Sequence, residues 1–328
     1  MTVTPRPRRA ALRIGSWSVL AAALLMPKLR TRLGVPRPIA LGTVALGPPA
    51  AAVGLPRGRW RSYAVFMAQM WAYLRAFELT YERPERLERR LVVRAPIAVD
   101  RALGAGRTPT ERLQRLRERS ARCELADRLI GGIYFAWVAE RHAVMIWLVR
   151  RHPGRFARAA ALVGASFDVA WLIFSLVPAA PPWWAGKTGS LPGVRRVTVD
   201  ASAALPLVPE QNEVDEDQGN PWASTPSQHA ASAAMLAIVT SEVDRRAGLA
   251  AWGYAAALGF ALVYLGEHYV VDVLSGFALA VAIHRAEPLA RVPARHLAAA
   301  ADELSSIAWP RRGSGRDLVQ QVREWTRR

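Results

Sequence analysis

Apolar residues in this chain gather into blocks, and arginine-dense connectors separate the blocks. An α-helix rises about 1.5 Å per residue, so roughly 20 apolar residues carry it across a bilayer core. Ile14–Met26 is a weak block of that kind, and Ile39–Leu55, rich in Gly and Pro, reads as a broken or re-entrant segment. Ser62–Thr80 follows, with Arg75 and Glu78 one helical turn apart as a structural pair. Leu129–Val149 and Phe156–Val177 are stronger. Asp168 lies inside the second of these, where an ionisable group is either functional or paired with another buried polar group. His229–Thr240, Leu249–Leu265 and Tyr269–His284 complete the series, the two that flank the final loop being short.

The connectors carry their own patterns. Tyr81–Arg128 is charged and partly amphipathic, and Thr110–Arg122 within it predicts a basic interfacial helix. Pro178–Pro226 is a loop rich in Pro and Gly, with an acidic patch from Glu210 to Asp217 that reads as solvated. The stretch after Arg285 is basic with apolar spacing, which predicts a tail on the membrane surface. The N-terminal run Arg6 to Arg13, followed by Ser16–Met26, has the basic and apolar parts of a secretory signal. No small-x-small cleavage site follows it, so an uncleaved anchor is expected. The whole pattern predicts an all-α, polytopic transmembrane helical bundle: a six-helix core with extra N-terminal hydrophobic segments. The expected division is residues 1–61 as anchor segments, 62–284 as the membrane domain and 285–328 as a basic cytoplasmic tail.

Composition sharpens the class. Hydrophobic residues make up 52% of 328, yet mean hydropathy is only +0.08 because the basic connectors cancel the apolar blocks. Tryptophans such as Trp17, Trp60, Trp71, Trp137, Trp147, Trp183, Trp184 and Trp222 fall near block edges, as they do at membrane–water interfaces. A formal charge of +18 admits nucleic acid, anionic lipid headgroups or acidic substrates as partners. The arginines cluster at block ends, with no aromatic–basic platform and no zinc spacing, which argues for lipid and against nucleic acid. The lone Cys123 excludes an internal disulfide.

Arginine placement also orients the bundle. Arg57, Arg59 and Arg61, then Arg150–Arg155, then Asp244–Arg246 and the tail alternate onto one side, the cytoplasmic side by the positive-inside rule. The same alternation puts Pro178–Pro226 and the Gly266–His268 turn outside. Tyr81–Arg128 and Lys28–Arg37 run against the rule. On this reading the chain is a multi-pass protein of the cell membrane.

Two strings carry candidate chemistry. Pro226-Ser227-Gln228-His229 opens an apolar helix, and Gly266-Glu267-His268-Tyr269-Val270-Val271-Asp272 joins two apolar helices. Four residues apart on a helix, His268 and Asp272 share a face, so the carboxylate can hold one imidazole nitrogen and leave the other free to attack. Ser227 suits an N-cap, and a helix N-terminus is a seat for phosphate. Alternation of the spans brings His229 and His268 to the same membrane face. Singly, a histidine at a helix edge is ordinarily a solvated interfacial residue, and His142, His152, His284 and His296 read that way. The two strings together point to catalysis instead. Two histidines and an aspartate can also hold zinc, but no fourth ligand is spaced nearby. Glu267 either tunes the site or merely fills the turn.

These strings resemble the type 2 phosphatidic acid phosphatase superfamily, and within it the inositol phosphorylceramide synthase-like branch. The family's Pro-Ser-x-His and His-x-x-x-Asp patterns are matched by Pro226–His229 and His268–Asp272, and the branch's Ala-Pro-Pro-Trp by Ala180-Pro181-Pro182-Trp183. The resemblance covers roughly Leu129–His284. Three departures stand out. Lys187 is followed by Arg195 and Arg196 at a longer spacing than the family's Lys–Arg-Pro motif, and without its proline. Ala261-Leu262 stands where the family has Ser-Arg, and Gln228 where it has Gly.

The resemblance implies a double displacement on a phospholipid or polyprenyl phosphate, with no cofactor and no metal. His268 would attack phosphorus and form a phosphohistidine, Asp272 would orient it, and His229 would protonate the departing alkoxide and then activate the acceptor. Lys187, Arg195, Arg196, Ser227 and Gln228 would bind the phosphoryl oxygens, the three basic residues serving equally well as headgroup contacts. With water as acceptor the enzyme is a lipid phosphatase; with an alcohol it transfers a headgroup, of inositol-phosphate type in the branch named. A non-catalytic membrane or transport protein of the same fold is the reading from a different class.

Overall fold

The structure is a computed structural model that describes residues 6–120, 123–203, 205 and 220–310. The acidic patch Glu210–Asp217 and the chain beyond Pro310 lie outside the described residues. The fold is an all-α membrane bundle. Among the described residues, four helices are long and apolar enough to cross a membrane: Pro7–Leu33, Cys123–Arg151, Pro153–Leu176 and Arg245–Leu265.

The chain divides into two compact units, residues 1–68 with 291–328, and residues 69–290. In the first, α1 (Arg6–Leu33) packs on two short helices, α2 (Arg37–Ala45) and α3 (Gly47–Gly54). The expected break in Ile39–Leu55 falls at Leu46, just before Pro48 and Pro49. Proline fits the first turn of a helix but not its interior, because it has no N–H to donate. Helix α4 (Arg59–Tyr81) begins in this unit, where Arg61 reaches the Asp302 carboxylate at 2.7 Å and the Ser305 hydroxyl at 2.8 Å.

The second unit holds the site. Three short helices, α5 (Pro84–Glu88), α6 (Arg94–Leu103) and α7 (Pro109–Glu118), precede two long ones, α8 (Cys123–Arg151) and α9 (Pro153–Leu176). Helix α7 is the basic helix expected in Thr110–Arg122. Thr108 and Glu111 form a reciprocal capping box at its start. Then follow α10 (Pro182–Lys187), α11 (Val197–Ala203), α12 (Gln228–Ser241), α13 (Arg245–Leu265) and α14 (Val270–Ala308).

Helix α12 differs from expectation in kind. At 14 residues it is too short to span about 30 Å of hydrocarbon, and its residues Ala230–Ala237 are fully buried. Helices α8, α9 and α13 enclose it, so its apolar character is that of a core rather than of a lipid-facing span. Small side chains (Ala230, Ala231, Ser232, Ala233, Ala234) let neighbouring backbones approach closely. Helix α14 also exceeds its expected end at His284 and continues to Ala308.

Several polar groups inside the unit are paired. Gln69 Nε2 donates to both carboxylate oxygens of Asp168, at 2.8 and 3.0 Å, so the intramembrane aspartate has its buried partner on α4. Arg75 and Glu78 form the expected ion pair at 2.6 Å. At one end of the bundle Arg158 binds Glu287 and Glu242, and His284 sits 2.7 Å from Glu242.

Candidate active site

Three chain segments meet at the other end of the bundle. The first is the α13–α14 turn. Gly266 adopts φ +81°, the left-handed conformation that glycine tolerates, and the N–H groups of Glu267 and His268 turn back onto the Leu262 carbonyl. A side chain at position 266 would put its Cβ 2.6 Å from the Arg195 carbonyl oxygen. The second segment is the start of α12, where the Ser227 hydroxyl accepts from the Ala230 N–H as the predicted N-cap. The third is extended chain. Val92 pairs with Ala179, and Ala179 with Ala223, both as parallel bridges. This ladder continues into the Ala180–Trp183 string, whose Trp183 N–H donates to the Gly266 carbonyl at 3.0 Å.

The two histidines come together. His229 Nδ1 lies 3.3 Å from His268 Nε2, with the rings nearly edge to face. His268 Nδ1 lies 3.0 Å from the Ser224 carbonyl oxygen. A carbonyl only accepts, so Nδ1 carries hydrogen, and in the neutral ring Nε2 keeps its lone pair. His229 packs on Trp137 at a centroid distance of 4.3 Å, and the Trp137 indole N–H donates to Ser232.

Asp272 is not placed as its spacing suggested. Its carboxylate lies 3.6 Å from His268 Nδ1, beyond hydrogen-bond length, because His268 precedes the first turn of α14 instead of belonging to it. The fully buried carboxylate accepts from the Ser224 hydroxyl at 2.6 Å, from the Tyr269 N–H at 2.9 Å and from the Thr225 hydroxyl. It therefore fastens the segment whose carbonyl holds His268. The Ser227 N–H donates to the Asp272 carbonyl at 2.9 Å, tying both motif strings into one knot.

The other expected phosphate ligands separate. Arg196 lines the cleft, its Nε on Glu267 at 2.9 Å and its guanidinium over the Trp183 ring. Glu267 also accepts from the Thr198 hydroxyl, which gives this turn residue a structural partner set. Arg195 is half exposed and pairs with Asp200 at 2.9 Å, while Lys187 is exposed at the end of α10; neither lines the cleft. Ser227 is spent on its cap, and Gln228 lines the cleft. The cleft has a volume of about 290 Å³ and aromatic walls that include Tyr73, Phe77, Phe174 and Trp183. Among the described residues, no three or more His, Cys, Asp or Glu side chains gather closely enough to hold a metal ion.

Asp100 was not visible from sequence. This buried residue of α6 accepts from the Val270 and Val271 N–H groups, at 2.9 and 3.0 Å, and so occupies the N-terminus of α14. Burial pushes its carboxyl above the usual carboxylate range and the nearby Asp272 adds to this, against the pull of those two N–H groups. Ser224 and Thr225 were also missed, although a hydroxyl pair directly before the Pro-Ser-x-His string was a signal within reach.

The arrangement sets two imidazole nitrogens against each other in a cleft that a guanidinium also lines. Residues 129–286 match the family model of the PAP2 superfamily, the type 2 phosphatidic acid phosphatases. No curated protein and no solved structure matches the chain.

Proposed function

We propose that this chain is a membrane enzyme that transfers the phosphoryl group of a lipid phosphate, a phospholipid or polyprenyl phosphate, through a phosphohistidine. The observation that carries the reading is the 3.3 Å approach of His229 Nδ1 to His268 Nε2, inside a stretch that matches the PAP2 superfamily. His268 Nε2 attacks phosphorus while Ser224 holds the ring's Nδ1–H. In-line attack at about 3–3.5 Å, with the leaving oxygen in turn bonded to His229, requires the two nitrogens to part to roughly 6 Å. His229 protonates the departing alkoxide and later takes the acceptor's proton. The Arg196 guanidinium lies where it can offset charge on the phosphoryl oxygens. Arg150, Arg151, Arg155, Arg245 and Arg246 sit at the opposite ends of α8, α9 and α13, which supports an extracytoplasmic site in the cell membrane.

The test is a trapping experiment. Purified protein given a lipid phosphate labelled at phosphorus should retain acid-labile label on His268, and His268→Ala should abolish both label and turnover. Turnover retained in His268→Ala would overturn the proposal.

A further inference from the structure

Two buried carboxamides line the cleft with unused hydrogen-bonding atoms. Asn220 and Gln228 are each only 7% exposed. Asn220 Oδ1 accepts from the Trp222 N–H at 3.1 Å, which fixes the amide's orientation and leaves Nδ2 without a partner. Gln228, next to His229, leaves both Nε2 and Oε1 without a partner; both absences hold among the described residues. Native interiors rarely keep such groups unless something else supplies the missing bonds.

The atoms left over define the ligand. Phosphoryl oxygens accept hydrogen bonds, so they can satisfy Asn220 Nδ2 and Gln228 Nε2 but not the acceptor Gln228 Oε1. A hydroxyl both donates and accepts, and adjacent hydroxyls serve all three atoms. Among the described residues that line the cleft, Arg196 is the one Arg or Lys, and the phosphoryl group claims it, so no second such cation is left for a charged acceptor. The cleft of about 290 Å³ exceeds by far the roughly 30 Å³ that a water occupies. Aromatic walls at Tyr73, Phe77, Trp137 and Phe174 favour the C–H faces of a carbon skeleton.

We infer that Asn220 and Gln228, lining the His229–His268 cleft with unpartnered amide atoms, form a subsite for the hydroxyls of a neutral polyol that accepts the phosphoryl group. The inference rests on His268 as the phosphoryl carrier. In the second half-reaction a polyol hydroxyl gives its proton to His229 and its oxygen bonds to phosphorus. The phosphorus–Nε2 bond then breaks, its electron pair returns to His268, and a polyol phosphate leaves.

The full chain in detergent, with phosphatidic acid labelled at phosphorus and glycerol or inositol as probe, tests this. Wild type should place label in the polyol phosphate as well as in inorganic phosphate. The ratio of the two should fall at least about tenfold in Gln228→Leu and in Asn220→Leu, the discrimination expected when a site built to bond a hydroxyl loses its partner. Both products drain one phosphoenzyme, so their ratio is independent of how much of each variant folds. Inorganic phosphate as sole product at every polyol concentration, or an unchanged ratio in both variants, overturns the subsite while phosphohistidine still forms. Absence of phosphohistidine overturns the underlying reading instead.

Discussion

Asp272→Asn isolates what a buried charge contributes to the histidine beside it. The carboxylate lies 3.6 Å from His268 Nδ1, yet that nitrogen bonds the Ser224 carbonyl, so the amide leaves the ring's tautomer in place. What is lost, on the proposed mechanism, is the negative charge next to an imidazole that becomes positive when Nε2 takes the phosphoryl group. At this separation an effective dielectric of about 20 gives roughly 4–5 kcal/mol. Each 1.4 kcal/mol is about tenfold in rate, so kcat should fall by about three orders of magnitude. Stability should fall as well, because one amide oxygen replaces two acceptors serving Ser224, Thr225 and Tyr269, at about 1–3 kcal/mol for each donor stranded. Thr225→Val separates the two effects by removing one of those bonds and keeping the charge. It should lose comparable stability but less than about tenfold in kcat. The assay is phosphate release at saturating lipid phosphate, with Tm measured on the same samples. Equal loss of kcat in both variants would refute the electrostatic role and leave Asp272 a purely structural clasp.

Gly266→Ala should lower Tm by an amount equivalent to more than about 1–2 kcal/mol, since the residue must keep φ +81° and its Cβ meets the Arg195 carbonyl; an unchanged Tm would contradict the turn described. Ser227→Ala should cost about 1 kcal/mol through loss of the α12 cap, read by denaturation in detergent. Asp100→Asn tests linkage. The raised carboxyl of Asp100 contributes stability that is complete below its unfolded pKa and lost as pH rises through its folded one. The Tm of wild type relative to the variant should therefore be highest in acid and decline as pH rises, and a difference growing with pH would sink that account.

Sequence reading located the long helices because apolar block length is a local property: Phe156–Val177 became α9 and Leu249–Leu265 lies within α13. It misjudged α12, since periodicity and hydropathy cannot distinguish a helix wrapped by protein from one wrapped by lipid. His229 and His268 were both legible, and so was their shared end, because alternation of helices is countable. The partner of His268 was not. Ser224 reaches it through a carbonyl, which every residue possesses, and only the three-dimensional path of residues 222–224 selects that one. Asp100 was hidden for a related reason. It lies about 170 positions from the N–H groups it serves, and no pattern within either segment points to the other.

That remote cap has a practical corollary. Residues 129–286, the portion matched by the family model, do not include Asp100, Gln114 or Val92, which respectively hold the start of α14, the Arg195 backbone and the extended ladder. A truncated chain cut to the family boundaries would keep every recognisable motif and still strand the Val270 and Val271 N–H groups beneath His268. Engineers borrowing this scaffold should carry the preceding 37 residues along, from Val92 onward, as part of the cleft's foundation.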